Sequence, residues 1–146
     1  MEKKETASQR GRRINKRGKD NEREFAEDLQ KSFNKMFGED EYKIRRTPMS
    51  GGMHLDFPAD IFYPKAPSYS VLKELHIDCK VAARWDPERW HEEEKELCRK
   101  TGTPFQKVVI VARRPGDKKQ LAIINWEDLK KIIIDLEGYR REENGK

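Results

Sequence analysis

At 146 residues the chain has room for one compact domain and a tail, not for two ordinary domains. Charged residues make up 40% and the apolar set 34%, yet 13 aromatics and several Ile/Val/Leu runs can supply a single core, which excludes wholesale disorder. The net charge of +5 is unevenly spread: residues 1–19 carry +6, and the remaining 127 residues sum to −1.

Residues 1–18 lack hydrophobic periodicity and read as a disordered basic arm, with Arg10, Arg12, Arg13, Lys16 and Arg17 as its phosphate-seeking cations. The plainer reading of that arm is a solubility tail. From about Lys19 a helix is expected, since Phe25, Leu29, Phe33 and Met36 recur at helical spacing and Gly38 stops them. Glu22 falls on or beside that apolar stripe, a costly place for a carboxylate without a partner. Tyr42–Thr47 reads as a strand, followed by the turn-forming Pro48-Met49-Ser50-Gly51-Gly52. Asp60–Tyr63 reads as a second strand, ended by Pro64. In the third, Val71–Ala82, Leu75, Ile77, Cys79 and Val81 alternate with Glu74, His76, Asp78 and Lys80.

Asp86-Pro87 has the form of an N-cap and first turn, and Trp90, Glu94, Leu97 and Cys98 mark one side of the helix that follows, up to Gly102. Phe105–Ala112 reads as a buried strand and Leu121–Asn125 as its successor. Asn125 caps a last helix with an expected inward stripe of Leu129, Ile132, Ile133 and Leu136, and the chain after Gly138 reads as a polar tail. The expected order is helix, three strands, helix, two strands, helix: an α/β domain around one mixed sheet, spanning 19–138. No stretch approaches the apolar length of a membrane span, and the N-terminus has no signal-peptide core. Cys79 and Cys98 lack metal-ligand spacing and read as reduced thiols of a cytoplasmic protein.

Asp60 opens a strand just after Pro58-Ala59, and Asp78 and Lys80 share one face of the next. Hydrolysing a phosphodiester requires neutralised phosphate charge and an activated water. Hard oxygen ligands such as Asp60 and Asp78 suit Mg²⁺, and a neighbouring ammonium suits the transition state. Taken singly, each residue has a plainer reading. Glu22 is a first-turn acid, Asp78 and Lys80 a solvated strand face, Asp60 a turn residue. His76 reads as groove-lining or surface, and Trp85 and Trp90 as core or dimer-interface residues.

Asp60, Asp78 and Lys80 together match the PD-(D/E)xK nuclease signature, and the expected element order resembles that superfamily's core, the restriction-endonuclease-like fold. Within it, Lys19-Asp20-Asn21-Glu22-Arg23-Glu24-Phe25, Ile44–Gly51 and His76-Ile77-Asp78-Cys79-Lys80-Val81 resemble three segments of the archaeal-type Holliday junction resolvases, archaeal or phage. The similarity in element order covers roughly residues 17–135; only those three segments match in motif. The second acid is Asp78 where Glu is commoner, and residues 53–57 extend the Ser/Gly loop, leaving Asp56 as a rival to Asp60.

The resemblance implies a homodimeric Mg²⁺-dependent endonuclease (Mn²⁺ a substitute) acting on branched DNA, in the host-cell cytoplasm if phage-encoded. It implies catalytic roles for Glu22, Asp60, Asp78 and Lys80, and metal contacts from Glu22, Asp60, Asp78 and the Cys79 carbonyl. DNA contacts would come from the basic arm, Arg23, Ser50 and one of the Arg45–Arg46 pair, with Arg46 preferred. The competing expectations are another nuclease of the same superfamily, of restriction or repair type, and a non-catalytic DNA-binding module.

Overall fold

A computed structural model describes residues 6–48 and 59–145, the side chains of residues 10–17 excepted. Ser50 and Asp56 lie outside the described residues, as do the side chains of Arg10, Arg12, Arg13, Lys16 and Arg17.

Helix α1 runs from Ala7 to Phe37, so the expected disordered arm is helical from Ala7 onward. A capping box explains the start: the Thr6 hydroxyl accepts the Gln9 N–H at 3.1 Å, and Gln9 Oε1 accepts the Thr6 N–H at 2.9 Å. Lys, Arg and Gln are good helix formers, and Gly18 is a tolerable cost within so long an element. Hydrophobic periodicity could not reveal this segment, because it carries no apolar stripe. At the other end Gly38 adopts φ 90°, which a side chain would oppose, and its N–H bonds the Asn34 carbonyl. Ala26 is buried, with Phe25, Leu29 and Phe33 packed around it. Met36, expected on the inward stripe, is exposed.

Strands β1 (Lys43–Arg46) and β2 (Ile61–Lys65) form an antiparallel pair with an irregularity between Lys43 and Arg45. Pro64 sits inside β2 instead of ending it. Gln30 of α1 docks on β1: its Oε1 accepts the Ile44 N–H at 2.7 Å and its Nε2 donates to the Tyr42 carbonyl at 2.9 Å. A 3₁₀ turn at Val71–Glu74 shortens the expected third strand to β3, Leu75–Val81. Helix α2 (Pro87–Lys100), capped by Asp86, returns the chain to β4 (Lys107–Arg113), parallel to β3. β5 (Leu121–Ile124) runs antiparallel to β4 at the edge.

The fold is mixed α/β, with two sheets among the described residues, β1-β2 and β3-β4-β5, in place of the single sheet expected. They meet at Asp60, whose N–H bonds the Ile77 carbonyl at 3.1 Å and whose carbonyl accepts the Thr47 N–H at 2.7 Å. The lead-in to β2 thus touches β3, and among the described residues no ladder joins the two sheets.

Alternation sorts the core. Ile77 of β3 and Val111 of β4 pack with Ala26, Ile44, Ile61 and Leu72 on the α1 side. Val108, Ile110 and Ala112 pack with Trp90 and Cys98 on the α2 side. Trp90 therefore belongs to the core, and Trp85 lies beside it with the Arg114 guanidinium 4.9 Å from its ring. Burying each large aliphatic side chain contributes about 1.5–3 kcal/mol.

Helix α3 spans Trp126–Asn144, capped by Asn125, and takes in most of the expected polar tail. None of its residues is buried: Ile133, Ile134 and Leu136 are exposed, and Leu129 and Ile132 are half-buried. The stripe expected to face inward is amphipathic in pattern, but no described element covers it. No helix among the described residues is long and apolar enough to cross a membrane.

Candidate active site

Four elements converge at the junction of the two sheets. Glu22 comes from α1, Arg46 from the end of β1, Asp60 from the lead-in to β2, and Asp78 and Lys80 from β3. Asp60 is held at three points. Besides the two backbone bonds above, its Oδ2 accepts the Cys79 N–H at 2.8 Å. Asp60 and Asp78 stand within hydrogen-bond reach of each other. Lys80 Nζ lies 3.2 Å from Asp78 Oδ2, an oxygen on which no hydrogen-bond donor is aligned. Glu22 Oε2 accepts from Arg46 Nε at 2.9 Å. All three carboxylates are buried, with Glu22 9%, Asp60 7% and Asp78 6% exposed.

Burial of like charges at this density is unfavourable unless something neutralises them. Burial first, then the Asp78 charge and hydrogen bond, then Glu22, push the Asp60 carboxyl up to about 10 against the pull of the Cys79 N–H. Asp60 therefore holds a proton at neutral pH. Burial lowers the affinity of Lys80 for its proton, but Asp78, Glu94 and Asp60 outweigh it and hold the pKa above the ordinary lysine value. Lys80 remains an ammonium, suited to electrostatic work and not to taking a proton. Burial first, then Asp60, Asp78 and Glu22, push the Cys79 thiol upward and disfavour its thiolate.

These residues fit a small hard cation. The donors are carboxylate oxygens, Asp78 Oδ2 lacks an aligned donor, and a divalent ion could replace the proton that now offsets the charge. Among the described residues no three His, Cys, Asp or Glu groups are already drawn together as a ligand set. Asp60 and Asp78 are the close pair, while Glu22 is engaged with Arg46. Cys79 enters the site through its amide, bonded to Asp60.

The other site residues named from the sequence are less concentrated. Arg23 is exposed and pairs with Asp20 at 3.4 Å. Arg46 meets Glu22, and Arg45 donates to Gln30 Oε1 at 2.9 Å.

His76 departs from the expectation of a groove-lining or surface residue. It is 0% exposed, and its Nε2 lies 2.9 Å from Glu94 Oε1 on α2. The polar face of β3 is covered by α2, which removes His76 from solvent. Burial acts to lower the imidazole pKa, but contacts with Cys98 and Glu94 outweigh it and lift the value to about 9. Glu94 was legible as a polar residue on the same side of its helix as Trp90 and Cys98, the kind of position that singled out Glu22. Its partnership with His76 and its charge beside Lys80 were not. Comparison with family models, with curated proteins and with solved structures finds no match to this chain.

Proposed function

We propose that the chain is a divalent-metal-dependent endodeoxyribonuclease of the PD-(D/E)xK type, acting on four-way DNA junctions as a homodimer. The observation that carries the reading is the buried Asp60–Asp78 pair with the Lys80 ammonium 3.2 Å from Asp78. A domain serving only structure or charge-based DNA binding gains nothing from burying two carboxylates against each other. A hydrolase that binds a cation there does.

Asp60 and Asp78 would hold Mg²⁺, or Mn²⁺ in its place, with Glu22 beside them. The bound ion would neutralise the scissile phosphate and make an attacking water more acidic. Cys79's amide fixes Asp60, and Arg46 fixes Glu22. Lys80, kept cationic by its acidic neighbours, stabilises charge developing on the phosphate. The four-way junction and the dimer come from the resemblance to the archaeal-type resolvases, and they belong together physically. Symmetric nicking of a two-fold substrate is met by a two-fold enzyme with two sites.

Incubation with a four-way junction and an equal-length duplex, each with Mg²⁺ or with EDTA, tests the proposal. Junction cutting with Mg²⁺ alone is expected. Equal cutting of both substrates would remove the junction assignment in favour of another nuclease of the superfamily, and no cutting with any divalent metal would remove the enzyme.

A further inference from the structure

Between α1 and β1, next to the carboxylate site, lies a recess of about 490 Å³. Its floor is apolar, made by the buried Ala26 and Ile44. Among the described residues four cations border it, Arg23, Lys31, Arg45 and Arg46, against one acidic lining residue, Glu27. Such a concentration of positive charge departs from a body that is nearly neutral beyond residue 19. Arg45 is held in place: its Nη1 donates to Gln30 Oε1 at 2.9 Å and to the Ile44 carbonyl at 2.8 Å. Arg46 belongs both to this recess and to the carboxylate site, through its bond to Glu22.

We propose that the recess receives one unpaired nucleotide of the strand whose backbone enters the carboxylate site. The proposal rests on the nuclease reading for what that neighbouring site does, and extends it to which form of strand is bound. A phosphate alone would use the cations and leave the floor bare. An apolar ligand would use the floor and make no use of the cations. A nucleotide answers both, with its phosphate near Lys31 and Arg23 and its base on the floor against the fixed Arg45 plane. A base in an intact duplex is stacked on its neighbours and is not available to enter a recess; a branch point or frayed end supplies one that is.

Binding of the full chain in EDTA at fixed salt tests this, with fluorescence anisotropy as the readout. Three probes are needed: a blunt duplex, the same duplex with a short single-stranded overhang, and one whose overhang is abasic at equal charge. The native overhang is expected to bind about tenfold tighter than the other two, the effect of one stacked base. Arg45→Ala, at an exposed position of β1, should remove most of that preference, whereas Lys31→Ala should weaken both overhangs alike. Equal affinity for native and abasic overhangs, or a preference untouched by Arg45→Ala, would overturn the proposal. Absent cleavage with the preference intact would strike the nuclease reading and support this one. Cleavage with no preference would do the reverse.

Discussion

On the side of β3 turned toward α1, Ile77 packs among aliphatic and aromatic groups that ask only to be kept from water. On the side turned toward α2 and the start of β2, His76 and Asp78 are as deeply buried, yet each requires a charged or hydrogen-bonding partner. One strand thus carries two kinds of interior. The apolar side is a source of stability and makes no chemical demand. The polar side gives up stability to keep carboxyl groups close, and a proximity that a proton now offsets is one that a bound cation could offset instead.

Substitutions on the two sides should therefore separate activity from stability. Asp78→Asn is expected to lower Mg²⁺-dependent junction cleavage by on the order of 10³-fold, since it removes a charge central to the site. It should change the melting temperature of the metal-free protein little by comparison, because the amide keeps the shape of Asp78 and can still bond the protonated Asp60 carboxyl. Retained turnover would break the metal assignment. Ile77→Ala is the counterpart: a loss of about 3 kcal/mol in denaturant unfolding, with the cleavage rate of the remaining folded protein unaltered.

The next effect is spread over pH. With its folded pKa at about 10 against 3.8 ordinarily, Asp60 keeps a proton in the folded chain that the unfolded chain releases. Stability of the metal-free protein should fall as pH rises across that interval. His76, at about 9 against 6.5, gives stability that is complete below 6.5 and lost as pH climbs through 9, the same sign. Mg²⁺ replaces the proton on Asp60, so the rise in melting temperature that it causes should grow with pH, and Asp60→Asn should flatten that growth. A metal-free protein that becomes more stable from pH 6 to 9 would contradict both assignments.

The smallest effect concerns Glu94→Gln, which keeps a hydrogen bond to His76 but removes the charge. It should cost about 1 kcal/mol, the difference between a charge-assisted and a neutral bond, and lower the His76 pKa seen by NMR titration. An unshifted His76 would mean that Glu94 contributes nothing electrostatically to that face.

The elements legible in the sequence are those whose signal is local. Alternation placed Ile77 and Asp78 on opposite faces, and Asp86 and Asn125 announced their helices by capping chemistry. What escaped depended on neighbours. The pattern of α3 shows an apolar stripe but cannot say whether another element covers it. His76 looks solvent-facing by parity until α2 is laid over it. Glu22, Asp60, Asp78 and Lys80 could be named, whereas the Glu22–Arg46 bond and the anchoring of Asp60 by the Cys79 amide arise only when distant segments meet.

The continuity of α1 bears on how its basic segment can be probed. Residue 18 stands one helical turn before Glu22, so truncation at residue 17 would leave an uncapped, fraying end with unsatisfied amides beside a site carboxylate. Loss of cleavage in such a shortened chain would report on both the missing charge and the loosened turn. Replacing Arg10, Arg12, Arg13, Lys16 and Arg17 with glutamine keeps the backbone helical and isolates the charge. The expected result is weaker junction binding with a shallower salt dependence, and an unaltered rate at saturating substrate.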